Sequence, residues 1–230
     1  MVFLAKTKSP DEWKAITSAI STLVDEATFE ATVEGLSFRG MDASHVALID
    51  ISWANSAFDG YECDSALKFG VRIDEFSKLM KRAEKKDNVE VSVEENSLLH
   101  IKILDGYKRE YKMRLIESTG GSTPLPKLNF NSKVILTPAS FDKILSDIEV
   151  VSEYISIESE EKKITFLGKS DYGEAEIVIE SGSEGLEELQ VKEKSKATYS
   201  LDYLSKITKA ISASGGSLVL EYSTKMPLRL

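Results

Sequence analysis

The sequence predicts an α+β protein of two similar domains, each with two helices on one face of antiparallel sheets. Three observations carry that expectation. Four helical segments share one apolar spacing, they recur at a near-constant interval, and the residues between them read as short strands.

The helices come first in the argument. PDEWKAITSAI sets Trp13, Ile16 and Ile20 on one face, and IDEFSKLMKRA does the same with Phe76, Leu79 and Ala83. PASFDKILSDI supplies Phe141, Ile144 and Ile148, and LDYLSKITKAI supplies Leu204, Ile207 and Ile211. Apolar residues at i, i+3 and i+7 give a helix one face to bury. Ser9-Pro10 and Thr137-Pro138 read as N-cap followed by N1, and Asp74 and Asp202 are expected to precede the other two helices as start signals. Trp13 to Phe76 is 63 residues, Phe76 to Phe141 is 65 and Phe141 to Leu204 is 63. Such regularity implies one supersecondary unit used four times.

The strands are read from alternation and β-branched runs at 89–93, 98–104, 109–117, 154–159, 163–168, 174–180 and 217–222. Each helix therefore leads into a small antiparallel meander, and four such units taken in pairs make two domains. The segment STGGSTPLP (118–126) has two glycines, two prolines and four hydroxylated residues without periodicity, which is linker composition. The expected division is domain 1 at 1–116, a connector at 117–126 and domain 2 at 127–230.

Composition narrows the function classes. The hydrophobic fraction of 42% and charged fraction of 29% are those of an ordinary globular chain. No apolar run approaches the roughly 20 residues needed to cross a bilayer, and the N-terminus turns polar too quickly for a secretory signal. Cys63 is alone, so neither an intramolecular disulfide nor a thiolate metal cluster is expected. The expectation is an intracellular protein, in the cytoplasm or nucleoid (the nucleus in a eukaryote), without membrane contact, metal or cofactor. The net charge of −9 argues against bulk attraction to nucleic acid, so the placement of the cations matters more than their sum.

That placement is not random. Lys14, Lys78, Lys143 and Lys206 each follow the first buried large residue of their helix by one or two positions, with Lys81, Arg82 and Lys209 further along. All avoid the apolar stripe and are expected to face away from the sheets. A basic face without base-reading groups would contact phosphates and ignore sequence. The segment around Lys108, Arg109, Lys112 and Arg114 is basic, whereas that around Glu174, Glu176 and Glu180 is acidic. As edge strands they could pair head-to-tail between copies, an arrangement that closes into a ring when its rotation permits.

GLSFRGMDASHVALIDI, followed by FDGYECDSALKFGVRIDEFSKLMKRA, is similar to the sliding-clamp family called proliferating cell nuclear antigen, above all its archaeal members. The resemblance runs from residue 1 to 230 and implies a ring-forming DNA clamp fold without catalysis. It also implies a homotrimer encircling duplex DNA, opened by a loader of replication factor C type. Polymerase, flap endonuclease and ligase would be tethered through PIP-box peptides. Under that resemblance Lys14, Lys78, Lys81, Lys143 and Lys209 face the channel, Arg82 and Lys206 are added from the helix pattern, and Ser21 and Ser146 replace cations of some relatives. The peptide pocket would use Met41, Ser44, His45, Val46 and Leu48, with Leu125, Pro126 and Pro227. The ring contacts would be Tyr111, Lys112, Met113, Arg114 and Leu115 against Ala175, Glu176, Ile177, Val178 and Ile179. Domain 2 is expected to fall short of the family pattern at its C-terminal end, losing a strand and one wall of the pocket. Alternative readings are one subunit of a heterotrimeric clamp or an interaction scaffold that forms no ring.

Asp42, Ser44 and His45 raise a rival reading, a hydrolase. They are expected in a turn entering the strand HVALIDI, where Ser44 and His45 would point to opposite faces. A triad gathers its members from separate segments, and no nucleophile elbow, P-loop or HExxH pattern is present. His45 is therefore read as structural or partner-contacting, and His100 as an ordinary strand residue.

Overall fold

The computed structural model describes residues 3–94, 97–118, 124–211 and 216–230. The chain divides into two compact units, Met1–Pro124 and Leu125–Leu230. The linker expected at 117–126 lies partly outside the described residues.

The first unit runs β1 (Phe3–Thr7), α1 (Asp11–Ser21), β2 (Glu26–Thr32), β3 (Gly35–Met41), β4 (Leu48–Ala54), β5 (Gly60–Cys63), β6 (Leu67–Arg72), α2 (Ile73–Met80), β7 (Asn88–Val93), β8 (Leu98–Leu104) and β9 (Lys108–Arg114). The second runs β10 (Ser132–Leu136), α3 (Pro138–Glu149), β11 (Tyr154–Glu160), β12 (Lys163–Ser170), β13 (Gly173–Glu180), β14 (Leu186–Val191), β15 (Ser195–Ser200), α4 (Leu201–Ile211) and β16 (Leu218–Tyr222).

The 63- to 65-residue interval has a structural meaning. Helix α1 leads into the meander β2–β3–β4, α2 into β7–β8–β9 and α3 into β11–β12–β13, all antiparallel. The strand before each helix joins the other meander of its unit: β1 pairs with β7, β6 with β2, β10 with β16 and β15 with β11. The first unit is thus two interlocked copies of one βα-meander; in the second, among the described residues, α3 leads into a full meander and α4 into the single strand β16, with the same cross-exchange, which local sequence cannot specify. The sheet orders are β5-β1-β7-β8-β9 and β4-β3-β2-β6 in the first unit, and β14-β10-β16 and β13-β12-β11-β15 in the second.

Each unit has its own core. In the first, Trp13 of α1 lies edge-on to Trp53 at 4.8 Å and meets Phe76 of α2 at 5.8 Å. In the second, Phe141, Leu145 and Ile148 of α3 are fully buried among Ile155, Ile157, Phe166 and Tyr222. At Gly168 of β12 an added Cβ would come within 2.4 Å of Ile148 Cγ2, so only glycine lets α3 approach this strand.

The helix starts differ in part from the sequence reading. Thr137 caps α3, accepting the Ser140 N–H at 3.1 Å, with Pro138 at N1. Thr137→Ala is expected to lower stability by about 1 kcal/mol in denaturant titration. In α1 it is Pro10 that occupies the N-cap, without a side-chain cap, and Ser9 Oγ accepts the Asp11 N–H at 3.2 Å from one position earlier. Asp74 and Asp202, however, lie inside the first turns of α2 and α4 and pair with Lys78 at 3.0 Å and Lys206 at 2.7 Å. They favour the positive end of the helix dipole and an i,i+4 lysine without capping. Helix α2 ends at Met80, so Lys81, Arg82 and Ala83 follow it in a tight turn closed by Arg82 N–H to Leu79 O at 3.0 Å.

Candidate nucleic-acid and partner interfaces

In the first unit α1 packs against α2, and their apolar stripes are consumed by the sheets. Lys14 is half-buried, while Lys78, Lys81 and Arg82 are exposed. In the second unit α3 packs against α4, with Lys143, Lys206 and Lys209 exposed. All seven cations lie off the buried stripe, as the spacing implied. The face is less uniformly basic than expected, because Asp147 and Glu149 are exposed on α3 beside Lys143. The acidic residues of α1, α2 and α4 sit in the first turn of each helix. Helix dipoles draw acids there, leaving the middle and C-terminal parts to the lysines. Ser21 donates its hydroxyl to Ser18 O at 2.8 Å, and Ser146 is exposed.

The turn after β3 answers the question raised by Asp42, Ser44 and His45. The carboxylate of Asp42, 5% exposed, accepts N–H groups from Ser44 at 3.1 Å, Val46 at 2.8 Å and Ala47 at 2.7 Å. Main-chain bonds from Asp42 N–H to Ala47 O and from His45 N–H to Asp42 O close the loop at 2.9 and 3.0 Å. His45 sits at φ 58°, in the left-handed region that few non-glycine residues adopt. The strand expected from His45 begins only at Leu48, because Asp42 curls 42–47 into a turn. Ser44 and His45 are therefore exposed on its crest, where alternation does not apply. Asp42 organises the backbone and does not hold an imidazole for proton transfer. Val46 is 69% exposed, and Met41 and Leu48 are half-buried at the two strand ends.

In the second unit Leu125 is 46% exposed, and Pro126 and Pro227 are exposed. Pro227 lies on a return segment tied to β16 by main-chain bonds in both directions between Glu221 and Arg229, at 2.8 and 2.9 Å. The Tyr199 hydroxyl donates to Met226 O at 2.9 Å, and Leu228 packs on the core. Burial pushes the Tyr199 phenol well above the ordinary range, so it stays protonated and keeps donating.

Strands β9 and β13 are both sheet edges. On β9, Lys112 and Arg114 face solvent, while Tyr111 and Met113 point into the core. On β13, Glu174, Glu176, Val178 and Glu180 face out, and Ala175, Ile177 and Ile179 are half-buried. Strand β9 is shorter than the sequence reading of 109–117. β9 stops at Arg114, and the chain then turns so that Ile116 bridges to Gly70 of β6. Leu115 still donates its N–H to Ser97 O at 3.1 Å, and its side chain lines a cleft of ≈ 440 Å³ with Leu67, Phe69, Val93 and Ile116. An added Cβ at Gly70 would meet Ile116 O at 2.8 Å, so glycine permits the bridge.

Comparison with known proteins decides the family. The model of the N-terminal domain of proliferating cell nuclear antigen matches residues 2–117, and that of its C-terminal domain matches 124–230. The chain belongs to the proliferating cell nuclear antigen family. It is 56% identical over 230 residues to the DNA polymerase sliding clamp of Nitrosopumilus maritimus, covering 100% of this chain and 92% of the relative. A protein of the same name from Cenarchaeum symbiosum is 54% identical with the same coverage. The crystal structure of the antigen from Thermococcus kodakaraensis superposes with a TM-score of 0.94 at 22% identity, covering 99% of this chain and 92% of that one. The fold is therefore that of the family, and the family is one of processivity factors, not enzymes. The Asp42, Ser44 and His45 turn is accordingly not a catalytic site.

Sequence reasoning missed one cluster. Arg109, expected only as an edge charge, lies on the core side of β9 and donates to Asp87 at 2.6 Å, Asp105 at 2.8 Å and Arg82 O at 2.9 Å. An arginine one strand position from a buried alternation is the only local signal, and it names no partner. His100 is likewise more engaged than read. It is 4% exposed, with Nδ1 3.3 Å from Glu110 and Nε2 3.8 Å from Glu94. The Glu110 carboxyl is held down at about 2, chiefly by its hydrogen bond from Lys108 and next by His100.

Proposed function

We propose that this chain works as a DNA polymerase sliding clamp: a homotrimeric ring that encircles duplex DNA and gives a polymerase processivity through topology instead of tight contact. The open edges of opposite charge carry this reading. Lys112 and Arg114 stand out from β9, and Glu174, Glu176 and Glu180 from β13. Pairing β9 of one copy with β13 of the next satisfies two unpaired ladders at once and sets unlike charges opposite each other. Such a contact is heterologous, and rings arise from heterologous contacts that close.

The phosphate contacts of the ring are Lys14, Lys78, Lys81 and Arg82 in the first unit, and Lys143, Lys206 and Lys209 in the second. In this reading the chain is organised as domains at 1–116 and 127–230 joined by a connector at 117–126. Met41, Ser44, His45, Val46 and Leu48 in the first unit, and Leu125, Pro126 and Pro227 in the second, contact partner peptides of PIP-box type. Through these peptides a flap endonuclease and a DNA ligase share the clamp with the polymerase, and a replication factor C-type loader opens it. The clamp acts wherever the chromosome is held. Tyr111 and Met113 support the edge from within, Ala175, Ile177 and Ile179 do so on the other strand, and Val178 stands out with the glutamates.

Light scattering across a concentration series tests the assembly. The native chain is expected at three times the chain mass, and Arg114→Glu, which sets a like charge against the β13 glutamates, is expected to shift it to the single-chain mass. An unaltered trimer in Arg114→Glu would overturn the edge assignment.

A further inference from the structure

We propose that the loop after α2 and the turn joining β8 to β9 form a binding site for single-stranded nucleic acid in the first unit. It shares Arg82 with the cations assigned to duplex DNA, while Lys85, Lys86 and Tyr107 are its own, and it does not rest on ring closure. The loop reads KRAEKKD (81–87) and the turn DGYKR (105–109). Arg82, Lys85 and Lys86 are all exposed. Surface lysines on a floppy loop would be unremarkable, but these are held in place from beneath. Ala83 is 3% exposed in the core, and Asp87, 2% exposed, accepts the Glu84 N–H at 2.7 Å. Arg109 bonds Asp87, Asp105 and Arg82 O at 2.6, 2.8 and 2.9 Å, fastening the loop to the hairpin turn. The cations are thus positioned before any ligand arrives, which lowers the ordering cost of binding.

The second half of the site is Tyr107. Its ring is 67% exposed, with the Arg109 guanidinium 5.5 Å from its centroid. Exposed aromatic rings beside fixed cations are the two components of sequence-independent single-strand binding, bases stacking on the ring while phosphates meet the cations. A duplex hides its base faces, so the ring favours unpaired strands. The opposing charges do not cancel the field. Asp87 and Asp105 are engaged by Arg109 and Glu110 by Lys108 at 3.0 Å, leaving Glu84 as the exposed acid of the loop.

The test is fluorescence anisotropy on the full chain, with a labelled oligothymidylate of about 20 nucleotides and a duplex of equal length. Tyr107→Ala is expected to weaken oligothymidylate binding about fivefold or more while leaving the duplex within about twofold, and Tyr107→Phe, which keeps the ring, to behave as the native chain. Lys85→Glu with Lys86→Glu is expected to weaken it further and lower the salt slope by about 1.4, two contacts at about 0.7 each. The proposal is overturned if Tyr107→Ala leaves oligothymidylate affinity unchanged, or weakens duplex binding equally. It is also overturned if polyglutamate displaces the strand as well as free oligothymidylate does, since that would make the patch a binder of acidic protein. Failure of the ring assembly alone leaves each of these readouts intact.

Discussion

Replacing Lys78 and Lys81 by glutamate is expected to weaken equilibrium association with duplex DNA on the order of 30-fold near 0.15 M salt. Each phosphate contact contributes a slope of about 0.9 to log K against log salt, which corresponds to roughly fivefold per contact at that ionic strength relative to 1 M. Two contacts multiply to about 25, and the reversed charges add repulsion. The side chain of Lys78 is 74% exposed and held by Asp74 at 3.0 Å. An exposed helical pair of this kind is weak enough for a phosphate to compete for the ammonium. The measured salt slope should fall by about 1.8, and a slope unchanged within error would remove both lysines from the interface. The variant has a second signature. The hydrogen bond from Lys78 holds the Asp74 carboxyl below its ordinary value, a shift whose stabilisation is present above the unfolded-state pKa and lost as pH falls through the folded one. Lys78→Glu removes that contribution to acid resistance, while circular dichroism at neutral pH should still report the native fold.

Asp42→Ala is expected to cost about 3 kcal/mol in chemical denaturation and to abolish the shape of the 42–47 turn. The carboxylate accepts three main-chain N–H groups, and hydrogen bonds to a charged acceptor contribute about 1.5–3 kcal/mol each, reduced here because the freed donors reach water. Asp42→Asn discriminates between charge and geometry. Oδ1 takes the N–H groups of Val46 and Ala47, while Oδ2 takes that of Ser44. An amide retains the first two bonds and loses the third, so about half the penalty should remain. If the turn presents His45 and Val46 to partner peptides, peptide affinity should fall in the same order, Ala below Asn below native. A native unfolding midpoint in Asp42→Ala would show that the turn does not depend on this carboxylate.

The legible part of this protein is the part written in short-range periodicity. Trp13, Phe76, Phe141 and Leu204 mark four helices because a 3.6-residue repeat needs only local residues to be seen, and the same four residues are buried in the structure. The strands with clear alternation, β8 and β13, fell within a residue of their expected bounds. Shorter or less patterned strands such as β1, β5, β10 and β14 were not legible. A five-residue run like FLAKT becomes a strand because β5 and β7 flank it, not because of its own preference. The end of α2 at Met80 was missed for a related reason: Ala83 continues the apolar spacing, yet Arg109 takes the Arg82 carbonyl out of any helical ladder.

The sequence by itself determined the four helices and their interval, the burial stripes of α1, α2 and α3, the off-stripe position of the seven cations and the opposite charges of two strands. All depend on residue type and spacing within one element. Tertiary structure alone decided that the strand before each helix joins the other meander, that β9 and β13 lie at sheet edges, and that Ile116 turns from the end of β9 to bridge Gly70. It also decided what Arg109 does, because the Asp87 carboxylate and Arg82 carbonyl that it meets are 22 and 27 positions away in the chain. Contacts closed over such separations are set by how the sheets pack, which no local pattern encodes.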